Sequence, residues 1–143
     1  MALEFDRSIL GQEFDRVERE PVTVDEIVAF AHALGCTEPC YLEPGSGLVA
    51  HPTFVVRYRG RRFLPDSLPD PLKTRMSFDA GKDIDFGVPI RPGDRISVGA
   101  ALHDVYEKTG RTGTMTFVVV RFVIRNQRGE TVATIDNRLL YKD

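Results

Sequence analysis

The stretch Phe30-Ala31-His32-Ala33-Leu34-Gly35-Cys36-Thr37-Glu38-Pro39-Cys40-Tyr41-Leu42-Glu43-Pro44 decides how this chain is read. Its first part closes a helix. Upstream, Thr23-Val24-Asp25-Glu26 has the form of a capping box, in which the Thr23 hydroxyl accepts from the Glu26 amide and the Glu26 carboxylate reaches back to Thr23. Ile27, Phe30, Ala31 and Leu34 then recur at three- and four-residue spacing and make one apolar stripe. Gly35 stands where a helix ends, because glycine takes up the left-handed conformation of a C′ residue without strain. A helix therefore leads directly into a loop that carries Cys36, Glu38, Cys40 and Tyr41 between two prolines.

The rest of the composition narrows the setting. At 143 residues the chain is the size of one ordinary domain, and residues 1–143 are read as one. Its 19 basic and 21 acidic side chains nearly balance, which argues against nucleic acid as a general partner. No early segment has the pattern of a signal peptide, and no apolar run has the length of a membrane span. Cys36 and Cys40 are too few and too close for a disulfide framework and read as reduced thiols of a cytoplasmic protein. No further ligands stand near them at metal-binding spacing, so neither a metal nor another cofactor is expected.

Moving outward, Gly11 to Arg19 reads as a polar edge strand. Gly45-Ser46-Gly47 is a Gly-rich loop leading into Leu48-Val49-Ala50-His51-Pro52-Thr53-Phe54. Residues 53–64 are ambiguous: Val55 and Val56 favour a strand, whereas Pro52 suits a helix start. The prolines and aspartates between Pro65 and Pro71 mark a surface loop. From Met76 the pattern is one of strands, over Ser77 to Val88, Ile96 to Tyr106, Thr114 to Arg125 and Thr131 to Tyr141. Pro92-Gly93 and Asn126-Gln127-Arg128-Gly129 are turns between them. Thr114 to Arg125 has Phe117, Val119 and Val123 on one face and Val118, Val120, Phe122 and Ile124 on the other, so cover is expected on both faces. Helices followed by antiparallel strands make an α+β protein.

The frame Phe30-Ala31-x-Ala33-Leu34-Gly35-x-x-x-Pro39-x-x-x-x-Pro44 resembles the hydratase motif of the MaoC-like, (R)-specific enoyl-thioester hydratases and dehydratases. The Pro92-Gly93-Asp94 turn and the Arg-Asn-Gln-x-Gly hairpin are similar to that family's second half, so the resemblance spans nearly the whole chain. It implies a hot-dog fold, in which an antiparallel sheet wraps a long central helix entered near Pro52, and it is nearest to the family's dyad-lacking N-terminal-type domains. The family motif reads roughly Ala-x-x-Gly-Asp-x-Asn-Pro-x-His, and its Asp and His act on the substrate. Here Cys36 stands for the Asp, Glu38 for the Asn and Tyr41 for the His.

Reversible hydration of an enoyl-thioester needs a group for the α-proton, a group for the β-oxygen and a donor for the enolate-like oxygen. The resemblance implies that the backbone at Pro52, Thr53 and Phe54 supplies the last, helped by the positive end of the central helix. Cys36 is a poor acceptor of a carbon-bound proton, or simply a small buried residue. Tyr41 donates a hydrogen bond or fills the volume of the former site. Glu38 is a solvated turn residue, or one half of a relocated acid–base pair whose other half is His51. Arg57, Arg59, Arg61 and Arg62 form either a solvated face or a docking site for the phosphates of coenzyme A or an acidic carrier protein.

Three functional readings stay open. The first is a hot-dog subunit that lacks the dyad and contributes substrate binding, through Cys36, Pro52, Thr53, Phe54 and the four arginines, beside a dyad-bearing partner. The second is a stand-alone homodimeric enzyme (hydratase, conjugate-addition enzyme or thioesterase) that uses Glu38, Tyr41 and His51. The third is an acyl-ligand-binding or structural hot dog with no chemistry. In the first two, the ligand is an acyl-thioester of coenzyme A or an acyl carrier protein.

Overall fold

The computed structural model describes residues 3–45, 47–69, 72 and 76–142. Strand β1 spans Glu13–Glu18, helix α1 Val24–Ala33 and the single-turn helix α2 Pro39–Leu42. A 3-10 turn over Pro52–Arg57 precedes β2 (Ser77–Phe86), β3 (Ser97–Gly110), β4 (Gly113–Arg125) and β5 (Thr131–Lys142). The strands pair antiparallel in the order β1-β3-β4-β5-β2, which leaves β1 and β2 as the edges.

Helix α1 starts and stops as its sequence dictates. The Thr23 hydroxyl accepts from the Glu26 amide at 3.1 Å, and the Glu26 carboxylate accepts from the Thr23 amide at 2.9 Å. Gly35 closes the helix at φ +73°, and the Gly35 and Cys36 amides donate back to the His32 and Ala31 carbonyls. Ile27 and Ala31 face inward and are fully buried. Phe30 meets Phe54 edge to face, with 5.3 Å between ring centroids.

The inner face of the sheet is continuous and apolar. It is built from Val98, Ala100 and Leu102 of β3, Val118, Val120, Phe122 and Ile124 of β4, and Ile135, Leu139 and Tyr141 of β5. Cover on both faces of β4 is not what the chain itself provides. On the outer face Val119 is buried, but Met115, Phe117 and Val123 are only half-buried, Phe117 stacks on Tyr106 at 5.0 Å, and Arg121 holds Asp136 by two hydrogen bonds. An alternation that is apolar on both sides therefore marks one true core face and one face dressed by cross-strand pairs.

Among the described residues the long central helix does not form. Helical geometry entered at Pro52 stops at Arg57, and Tyr58 is already extended at φ −90°, ψ 118°. Two causes act together. Val55 and Val56 disfavour a helix sterically, and the next amides are taken by another partner. Asp15 of β1 accepts from the Arg61 amide at 2.6 Å and the Arg62 amide at 3.2 Å. Gly60 permits this approach, since a Cβ there would lie 2.7 Å from the Asp15 carboxylate. Residues 58–63 thus run as a strap across the sheet's inner side. The loop that follows is not wholly at the surface either, because Leu68 and Leu72 are buried in the core; Asp70 and Pro71 of that loop, and Ser46 of the earlier one, lie outside the described residues.

The Pro92-Gly93 turn is locked by its neighbour. Asp94 is 3% exposed, and its carboxylate accepts from the Arg91 amide at 2.8 Å and from the Gln127 side chain at 2.9 Å. Its carbonyl accepts from the Val22 amide just before α1. One carboxylate residue thereby ties the start of α1 to the β4–β5 hairpin. No helix among the described residues is long and apolar enough to cross a membrane.

Candidate functional site

The loop after α1 delivers the motif residues to different places. Glu38 begins α2 without a side-chain cap, and its exposed carboxylate accepts from the Thr37 amide at 3.1 Å. Cys36 is half-buried and Cys40 exposed. Tyr41 turns inward, and partial burial, reinforced by Cys40 and Glu38, raises its phenol above the ordinary tyrosine value. It is a proton donor at neutral pH and no base. Its ring meets the His51 ring edge to face at 5.1 Å. Among the described residues no hydrogen bond joins Glu38 to His51: the carboxylate accepts from the Thr37 amide, and the imidazole Nδ1 is used at Thr53.

His51 caps the 3-10 turn. Its Nδ1 accepts from the Thr53 amide at 3.3 Å and lies 2.8 Å from the Thr53 hydroxyl. With Nδ1 used as the acceptor, the neutral ring carries its proton on Nε2, an assignment inferred from these bonds. His51 in this state is a hydrogen-bond donor. The same turn uses up the amides that the resemblance assigns to the thioester oxygen. Pro52 has no N–H, Thr53 donates to His51, and the Phe54 amide donates to the His51 carbonyl at 2.8 Å. Phe54 itself is fully buried, with the Arg57 guanidinium 4.5 Å above its ring.

His51 and Pro52 do line a cleft, of about 120 Å³, whose other walls include Phe86, Val88, Ile90 and Val132. It opens beside the free edge of β2, where Phe86 is 54% exposed. A side chain at Gly87 would collide with the Thr131 carbonyl, so glycine there lets the end of β2 close against β5. The strand-side walls were not among the residues singled out from the sequence. An apolar residue next to a proline carries no local mark of lining a cavity.

The four arginines do not share one face. Arg57 pairs with Glu26 at 3.4 Å, Arg59 lies over the Phe63 ring at 5.6 Å, and Arg62 pairs with Asp66 at 2.7 Å. Arg61 is exposed, with its amide held by Asp15. Arg57 and Arg59 meet Arg19 in a groove of about 510 Å³, but Glu18, Glu20 and Glu26 line the same groove and balance them. A phosphate would meet as many acids as bases there. Among the described residues no cluster of three or more His, Cys, Asp or Glu side chains is placed to hold a metal ion.

A second cleft, of about 200 Å³, lies between the strap and the inner face. Tyr58 and Phe63 of the strap, and Phe122, Ile135 and Leu139 of the sheet, give it apolar walls. Asn137 of β5 lines it as well, and is only 7% exposed. The other buried polar side chains all have partners: Asp94 as above, Thr116 with Glu107, and Asn126 with the Arg128 and Glu130 amides and the Glu130 carboxylate. Among the described residues the Asn137 amide has none. A sequence signal was present, since Asn137 interrupts the inward series Ile135, Leu139, Tyr141.

Residues 8–135 match the family described as "FAS1-like, dehydratase domain region". No curated protein sequence matches the chain. Among solved structures, it is similar to the MaoC-like dehydratase from Rhodospirillum rubrum, with a TM-score of 0.69, 21% identity and 97% of each chain covered. It is similar also to the ChsH1-ChsH2 complex from Mycobacterium tuberculosis, with a TM-score of 0.72, 20% identity, and 92% of this chain and 84% of that one covered. A third is the HadBC 3R-hydroxyacyl-ACP dehydratase complex from Mycobacterium tuberculosis, with a TM-score of 0.67, 23% identity, and 92% of this chain and 96% of that one covered. These likenesses show the fold: one antiparallel sheet with few helices, the α+β hot dog. The match over residues 8–135 and the motif frame from Phe30 to Pro44 make this chain a member of the MaoC-like, FAS1-type dehydratase family.

Proposed function

We propose that this chain, acting as one hot-dog unit over residues 1–143, is the non-catalytic, substrate-holding subunit of a heteromeric acyl-thioester dehydratase or hydratase. The observation that carries the reading is the His51–Thr53 lock. It occupies the ring nitrogen that would serve as a base and the Thr53 amide that would serve an oxyanion, while the Glu38 carboxylate accepts from the Thr37 amide. A site so closed can shape and position a chain, but it offers no acid–base pair. The free edge of β2 supports a partner. Met76, Phe78 and Phe86 are exposed on or beside that edge strand, and a bare apolar edge is a pairing surface. The likeness to ChsH1-ChsH2 and HadBC, both named as two-component complexes, supports the same arrangement. A dyad-bearing paralogue seated there would complete the His51 cleft.

The test is hydration of crotonyl- and longer enoyl-thioesters. The chain alone should give no turnover, and adding a dyad-bearing partner should give turnover above that of the partner alone. Turnover by the chain alone, lost in His51→Ala, would sink the reading.

A second reading rests on the Tyr41–His51 contact, which sets two hydrogen-bond donors side by side next to the first cleft. A homodimer could use them to hold the thioester oxygen while a carboxylate such as Glu38 takes the proton of the attacking water. A stable homodimer with thioesterase activity lost in both Tyr41→Phe and His51→Ala is its signature.

A further inference from the structure

We propose that the cleft beneath the strap is a ligand subsite for an apolar chain carrying a hydroxyl or keto oxygen, and that the Asn137 amide selects for that oxygen. The inference rests on the thioester reading above only for what the head of the chain is. The floor of the cleft stands on its own geometry.

Asn137 sits on the inward side of β5, between Ile135 and Leu139, and is more than nine-tenths buried. The cleft walls are otherwise aromatic and aliphatic, with Arg59 and the Asp79–Lys82 ion pair among the lining side chains. An amide offers both an N–H donor and a carbonyl acceptor, so it answers a hydroxyl or a ketone equally well. Water serves such a group while the cleft is open. A plain hydrocarbon chain displaces the water and strands the amide, whereas a chain with an oxygen at that depth replaces the bond it removes. The discrimination is therefore against the plain chain, the asymmetry seen wherever a buried polar group must be matched.

The position of the oxygen follows from the strand. Val132 lines the first cleft and Asn137 the second, five residues along β5, which is about 17 Å at the antiparallel rise. For a chain whose head lies near His51, the matching oxygen is thus far from the head, distinct from the β-oxygen of the dehydration itself.

The experiment titrates the full chain by calorimetry with dodecanoyl-coenzyme A and its hydroxy and keto congeners substituted from the middle to the end of the chain. The corresponding free acids form a second set. At least one oxygenated congener should bind about tenfold tighter than the plain chain. Asn137→Leu should abolish that preference and raise the Tm of the ligand-free protein, which a merely structural asparagine would not do. If Asn137→Leu fails to fold, Asn137→Asp, near in shape but without the N–H donors, should lose the preference for the keto chains. Preference among free acids with no binding of any coenzyme A ester would support the subsite and overturn the thioester reading. Equal affinity for plain and oxygenated chains, a preference that survives in the variants, or no binding of any probe would overturn the subsite.

Discussion

His51 and Asn137 sit in the walls of two clefts along the same strand, and their surroundings are built in opposite ways. His51 is answered within three residues of chain by the Thr53 amide and hydroxyl, and it spends its nitrogen on local order. Asn137 lines a cavity, and among the described residues no hydrogen bond answers its side chain. A hydrogen bond made inside the fold rigidifies a loop, whereas one left open is a demand placed on whatever enters. In this chain the histidine of the motif region serves local order through its Nδ1. The residue with unspent bonding capacity lies where the family motif does not reach.

Removing the fully buried ring of the 3-10 turn that links the two clefts in sequence is the harshest way to break the comparison. Phe54 follows His51 in the 3-10 turn and meets the Tyr58 ring at 6.0 Å, and Tyr58 lines the second cleft. Phe54→Ala should cost roughly 3–5 kcal/mol, read from urea unfolding, because a fully buried ring leaves a cavity that collapses poorly. Asp15→Ala should act on the second cleft alone. It strips the acceptor from the Arg61 and Arg62 amides, so hydrogen exchange there should accelerate and stability fall by about 1–3 kcal/mol, with the His51 cap unaltered. Unchanged protection at those two amides would show that the strap is held by other means.

The smallest effect is one of pH. Burial, opposed by Arg57, pushes the Tyr58 phenol up to about 12. Below about pH 10 both folded and unfolded chains keep this proton and nothing is lost. Above it the unfolded chain ionises first, so stability should decline between about pH 10 and pH 12. Tyr58→Phe should remove that part of the decline in urea midpoints, and an alkaline limb identical in the two proteins would assign it to other groups.

Most of the sheet could be read from sequence because alternation, turns and hairpins are local. The Thr23–Glu26 box, the Gly35 stop and the Asn126–Gly129 turn each carry their own cause within four or five residues. The segment from His51 to Leu64 could not be read so. Its outcome was decided by Asp15, about 46 residues away in sequence, whose carboxylate competes for the amides a helix would have used. The candidate site divides along the same line. Tyr41, His51 and Pro52 were recoverable from the motif, and the structure brings Tyr41 and His51 into contact. The isolation of Glu38, the dispersal of the arginines and the second cleft all depend on which distant strand lies opposite.

The Asp94 clamp has a consequence for time. Beyond the local Arg91 amide, its carboxylate gains its second partner only after β3–β4 pairing, which sets Ser97 opposite Arg125, has brought back Gln127 from 33 residues later, and its carbonyl waits for Val22 from the other side. Hairpins close in microseconds, and contacts between distant segments come later, when loop closure has been accomplished. Asp94 is therefore a latch that engages late and holds the finished fold shut. Replacing it with Ala should leave the folding limb of a chevron nearly where it was and steepen the rate of escape on the unfolding limb, so that the same residue that barely guides the chain in governs how long it stays.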